Sequence, residues 1–153
     1  MYSIFCVMTA VSFPSVAQVL VPEQRVWLQV CPWPVPAGFP SPAADYACKR
    51  IDLNEHLIRN KEATFVFKVK GDSMSGVGIN EGDELLVDRS IEPRHGHIVI
   101  AVLNGEFTVK RLHSRGGIVK LVAENPRYPA IVLKDGQELV VWGVVTRNLP
   151  KPF

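Results

Sequence analysis

A chain of 153 residues, 47% hydrophobic and 21% charged, has the size of one domain plus an arm and enough apolar area for a packed core. Its formal charge of +2 and its lack of any long Lys/Arg run argue against a strong phosphate-binding surface. Three cysteines (Cys6, Cys31 and Cys48) are odd in number and irregular in spacing, so they read as free thiols of a reducing cytosol rather than a disulfide framework.

The first twenty residues are apolar, and Ser15-Val16-Ala17 resembles a signal-cleavage site. No Lys or Arg precedes this run, however, and Pro14 interrupts it, so it reads as a loosely ordered arm. No stretch reaches the about 18 apolar residues that a membrane span needs. Residues 1–48 carry seven of the chain's prolines (Pro14, Pro22, Pro32, Pro34, Pro36, Pro40 and Pro42), a density that helices and central strands cannot absorb. The segment from Cys31 to Pro42 is expected to be an extended strap with polyproline-like stiffness. Within it, Ala37-Gly38 is a small pair easily laid into a cleft as an added strand, although Pro36 cannot donate a hydrogen bond there; an ordinary linker has the same composition.

The spacing of Asp52 and Glu55 predicts a short capped helix over 52–58, with Leu53 and Leu57 facing a core. From Thr64 onward the pattern is β. Strands are expected at 64–69, 85–87, 97–103, 106–112, 118–122, 131–133 and 139–145. Asn80 to Asp83 is a turn. Asn104-Gly105, between two apolar runs, is a hairpin signal because both residues accept positive φ. His95 and His97 lie beside Pro93 and Gly96 and read as loop and strand-edge residues; they form no metal-ligand pattern with the cysteines, and no metal or cofactor is expected. The fold class that follows is mostly β, a compact folded-sheet or barrel-like domain over 49–153 preceded by an arm over 1–48.

Two residues in this β region have the chemistry of a nucleophile and a base. Ser73 follows the Gly71-Asp72 turn, where the backbone N–H groups of Ser73 and Met74 are free to hold an oxyanion. Lys110 sits inside an apolar strand, and alternation places it on one face with Glu106 and Thr108, opposite Phe107, Val109 and Arg111. Burial of its amine would disfavour the charged form and make it a base for the Ser73 hydroxyl. Taken singly, neither carries the chemistry: a serine in such a turn is more often a cap, and a lysine on an antiparallel strand more often faces solvent.

The blocks Gly71-Asp72-Ser73-Met74, Gly82-Asp83, Val87-Asp88, Gly96-His97-Ile98-Val99, Gly105 to Lys110 and Trp142-Gly143-Val144-Val145 resemble the LexA/UmuD group of self-cleaving serine peptidases. The phrase Gly38-Phe39-Pro40-Ser41-Pro42 resembles the start of the processed form in UmuD and its plasmid-borne relatives of the MucA, ImpA and RumA type. The resemblance covers about residues 37–147 and implies Ser73 as nucleophile, Lys110 as general base and Ala37-Gly38 as the scissile bond. It further implies a cytoplasmic homodimer, stimulation of cleavage by RecA filaments on single-stranded DNA, and a UmuC-type polymerase partner that copies past lesions in the SOS response. Residues 1–36, with Trp33-Pro34-Val35-Pro36 before the cut, depart from the usual arm. They are also too short and Pro-broken for a helix-turn-helix, so sequence-specific DNA binding is not expected. Two other readings share the residues. One is a signal-peptidase-like protease, which would need a membrane anchor. The other is a non-catalytic dimeric binding module that regulates a polymerase.

Overall fold

The computed structural model describes residues 25–30, 49–133 and 139–152. The three cysteines, the strap and the Ala37-Gly38 bond lie outside them. Described residues 25–30 and 49–59 belong to one unit, and 60–133 and 139–152 to another. Among them no helix is long and apolar enough to cross a membrane.

The smaller unit holds two strands that the sequence pattern did not predict. Strand β1 (Trp27–Val30) pairs antiparallel with β2 (Lys49–Asp52). The predicted helix follows as α1 (Leu53–Leu57). Asp52 caps it by accepting the Asn54 N–H at 2.9 Å, and Leu53 and Leu57 are half-buried.

The larger unit is a seven-stranded antiparallel sheet. Its strands are β3 (Thr64–Lys68), β4 (Glu84–Asp88), β5 (Ile98–Leu103), β6 (Glu106–Arg115), β7 (Ile118–Val122), β8 (Ile131–Val132) and β9 (Leu139–Leu149). Their spatial order is β3-β4-β9-β5-β6-β7-β8, so the last strand of the chain lies between β4 and β5. The β5–β6 hairpin turns at Asn104 (φ 51°) and Gly105 (φ 84°), the paired positive φ that its dipeptide signals. In the loop between β3 and β4, Asp83 accepts the Asn80 N–H, the Lys151 N–H and the Asn148 side chain. Those donors, the Asn80 N–H first, hold its carboxyl below the usual aspartate value.

The sheet is curled. Four inter-strand steps separate β3 from β6, about 19 Å in a flat sheet at about 4.8 Å per step. Yet the rings of Phe67 on β3 and Phe107 on β6 have centroids 5.8 Å apart, and both meet Trp142 on β9. Inside the curl lie Val69, Met74, Ile79, Leu85, Val87, Ile100 and Trp142. A second core of Val99, Ala101, Leu112, Leu121, Val141 and Val144 occupies the other face. Two register shifts in β9 serve both cores. Ile100 faces Gly143 and Ala101 faces Val141, which leaves Trp142 as an extra residue turned to the inner core. Leu86 faces Arg147 and Val87 faces Val145, which leaves Thr146, whose hydroxyl donates to the Leu86 carbonyl at 3.1 Å.

Gly143 allows this arrangement, since a Cβ there would lie 2.7 Å from Val87 Cγ1 and 3.3 Å from the Asp88 carbonyl oxygen. Val87 is fully buried, and its branched side chain is stiff at χ1. Gly143→Ala is expected to lower unfolding stability by about 1–3 kcal/mol through overpacking, measured by denaturant titration. A variant as stable as the parent would show that β4 and β9 have slack at this point.

Candidate active site

Ser73 lies in the β3–β4 loop, beyond Val69 and before a 3-10 turn at Ser75–Val77. Its turn begins at Gly71, whose φ of 86° is strained for any side chain. Met74, 1% exposed, anchors the turn in the inner core. Lys110 arrives from β6 on the far side of the curl, and its Nζ lies 2.8 Å from Ser73 Oγ. It also contacts Thr108 Oγ1 at 3.1 Å and donates to the Val109 carbonyl at 2.9 Å.

Burial decides the electrostatics. Lys110 is 8% exposed, and desolvation pushes its amine below the ordinary lysine value. No carboxylate is paired with it among the described residues. The contacts can serve the neutral amine as well as the ammonium. Nζ has three oxygen partners, and Val109 O can only accept; once the amine is deprotonated, its two N–H groups serve Val109 O and Thr108 Oγ1 and its lone pair is left for the Ser73 O–H. Thr108 thus sets the amine's orientation. Its place two residues before Lys110 on the same strand face was visible in the sequence, but no role was read from it.

Arg111 takes the opposite course from its neighbour. Its Nε pairs with the Glu124 carboxylate and its Nη1 donates to the Gly96 carbonyl at 2.6 Å. The segment after β7 also grips the Ser73 turn. Glu124 and Asn125 N–H groups donate to the Ser73 carbonyl at 3.0 and 3.1 Å. Asp72 accepts from the Asn125 side chain and from the Tyr128 hydroxyl, and this carboxylate raises the Tyr128 phenol above its usual value. Gly76 is needed beneath this segment, because a Cβ there would lie 1.9 Å from the Glu124 carbonyl oxygen. Asn125 and Tyr128 carried no signal at sequence level, since nothing local ties 125–128 to residue 72.

A cleft of about 300 Å³ opens beside the pair. Its apolar wall includes Phe67, Leu85, Ile100 and Phe107, and Ser73, Lys110 and Tyr128 line its polar part. The predicted histidine placement holds as well. His95 Nδ1 accepts the Ser114 N–H, His97 Nδ1 accepts the Arg94 N–H, and the His95 ring stacks edge-on against His113.

The sequence profile described as Peptidase S24-like matches residues 30–146. This chain belongs to the S24-like peptidase family. Protein SamA of Salmonella typhimurium strain LT2 is 47% identical over 116 residues, which are 76% of this chain and 80% of SamA. Protein ImpA of Escherichia coli is 44% identical over 111 residues, 72% of this chain and 74% of ImpA. Protein MucA of Escherichia coli is 41% identical over 116 residues, 75% of this chain and 79% of MucA. The expected membership in this peptidase family and the expected mostly β fold are thus both found.

A buried amine in an S24-like domain lowers stability at neutral pH. Its folded pKa is depressed, so between the folded and unfolded values the native state binds fewer protons than the unfolded chain. Stability therefore rises with pH through that window, and the cost of Lys110 is fully present below it. Lys110→Met is expected to melt above the parent at neutral pH, with the gap closing as pH approaches about 10.4. Thermal melting across this range checks it. A methionine variant that melts lower throughout would mean that the amine's hydrogen bonds outweigh its desolvation.

Proposed function

We propose that this chain is a self-cleaving serine peptidase in which Ser73 is the nucleophile, Lys110 the general base and Ala37-Gly38 the bond cut. The observation that carries this reading is the 2.8 Å contact between a hydroxyl and an amine that is only 8% exposed. An unperturbed lysine is a poor base near neutrality because its pKa is about 10.4, and burial works in the direction that lessens this obstacle.

The amine lone pair takes the Ser73 proton as Oγ bonds to the Ala37 carbonyl carbon. The N–H groups of Ser73 and Met74 are the candidates to receive the resulting oxyanion. Collapse breaks the bond to Gly38, whose nitrogen leaves with the proton that Lys110 acquired. Water then attacks the acyl-enzyme as Lys110 takes its proton, and collapse breaks the Ser73 Oγ–acyl bond while Lys110 returns that proton to Oγ, freeing the new carboxyl terminus. The reaction is slow and open to regulation if the strap rarely occupies the cleft, since tethering gives high effective concentration but a small competent fraction.

The relatives and the resemblance of the Gly38 segment support the rest of the reading. The shortened product forms a cytoplasmic homodimer and joins a UmuC-type subunit of an error-prone translesion polymerase in the SOS response. RecA filaments on single-stranded DNA stimulate the cut.

Incubation of the purified chain at rising pH, followed by mass spectrometry, tests the chemistry. Cleavage is expected to speed up as Lys110 loses its proton and to level off below the free-lysine value, giving a fragment that begins at Gly38. Ser73→Ala and Lys110→Ala are each expected to stay folded and full length. The same fragment from either variant would refute the dyad.

A further inference from the structure

The candidate oxyanion donors sit on two adjacent peptide planes, and one residue outside the dyad touches both. In a trans peptide the N–H and C=O point in opposite directions, so fixing the carbonyl of one residue fixes the N–H of the next. The plane that carries the Ser73 N–H carries the Asp72 carbonyl, which accepts from Asn125 Nδ2 at 3.1 Å and from the Ser75 N–H at 3.1 Å. The plane that carries the Met74 N–H carries the Ser73 carbonyl, which accepts from the backbone of Glu124 and Asn125. Among the described residues neither the Ser73 nor the Met74 N–H has a hydrogen-bond partner of its own.

We propose that Asn125 is a positioning residue for this reaction, holding both peptide planes so that the Ser73 and Met74 N–H groups converge on one point in the cleft. Asn125 is 8% exposed and its amide is fully engaged. Its Nδ2 also reaches Asp72 Oδ2 at 3.1 Å, and its Oδ1 accepts the Arg127 N–H at 3.1 Å. A buried asparagine whose Nδ2 is committed to the Asp72 turn and whose Oδ1 is tied to its own segment can neither rotate nor be replaced by a shape without its donors. Preorganised donors of this kind act only if they do not have to reorient when charge develops. Asn125 does not touch Lys110 in any hydrogen bond, so it acts on the stabilisation of the intermediate and leaves the base alone.

The proposal rests on the self-cleaving dyad, and its test separates the two. Self-cleavage of the full chain is followed from neutral to strongly alkaline pH for the parent, Asn125→Ala and Asn125→Asp. All are measured well below each one's Tm. The aspartate variant keeps the side-chain shape and the backbone donors but loses the N–H aimed at Asp72. Asp72 and Tyr128, with the adjacent Glu124 and Arg127, are the ionisable groups around this position. The hydrogen bond to Asp72 holds the Tyr128 phenol's titration above the usual value. Both variants are expected to lower the alkaline plateau about 10- to 100-fold with the pH midpoint unmoved. A plateau within about threefold of the parent would overturn the proposal. So would a shifted midpoint with an intact plateau, or failure of both variants to fold. A parent chain that never shortens would remove the dyad itself, and this proposal with it.

Discussion

An amine kept out of water beside a hydroxyl is the constraint around which this domain is arranged. Ser73 and Lys110 are 37 positions apart in the chain. Their elements are also separated by several strands in the sheet order. Only a curled sheet brings them together, and the same curl excludes solvent from Lys110. Proximity and desolvation are therefore two consequences of one geometric fact. Neither alone would suffice. A lysine near a serine on an open surface would remain charged, and a buried lysine without a hydroxyl would be a stability cost with no return.

The curl depends on β9. This strand enters between β4 and β5 and carries both irregularities in the central pairing, at Trp142 and Thr146. An unbroken two-residue alternation would have sent Val141 and Val144 to opposite faces. The extra residue lets both join the outer core while Trp142 turns inward to meet Phe65, Phe67 and Phe107. The aromatic cluster closes the curl beside the cleft, and the cleft's apolar wall includes Phe67 and Phe107. The same close packing that shapes the site leaves no room for a side chain at Gly143.

The two halves of the site are held in different ways. Lys110 is positioned by its own strand, through Thr108 and the Val109 carbonyl. Ser73 sits in a loop and relies on a distant segment, 124–128, that follows β6 and β7 in the chain. Residues on regular strands are placed by pairing, whereas a loop residue needs hydrogen bonds to its backbone from elsewhere.

Local chemistry made much of the chain legible. Asn104-Gly105 announced its hairpin, Asp52 its helix cap, and alternation the strands from Thr64 onward, because each depends on neighbours along the backbone. The block around Ser73 and the Thr108-Val109-Lys110 run marked the chemistry through residue type and order. Strands β1 and β2 escaped notice because their pairing joins segments on either side of a proline-rich stretch, and nothing in Trp27–Val30 alone announces a partner. Asn125, Tyr128 and the Arg111–Glu124 pair escaped for the same reason. By itself, then, the sequence determined which residues have the chemistry and which segments extend or turn. Tertiary structure alone decided that the amine is shielded, that it meets the hydroxyl, and that a remote asparagine holds the Ser73 turn. Solvent exclusion and long-range approach are properties of the curled sheet as a whole, and no stretch of chain carries them locally.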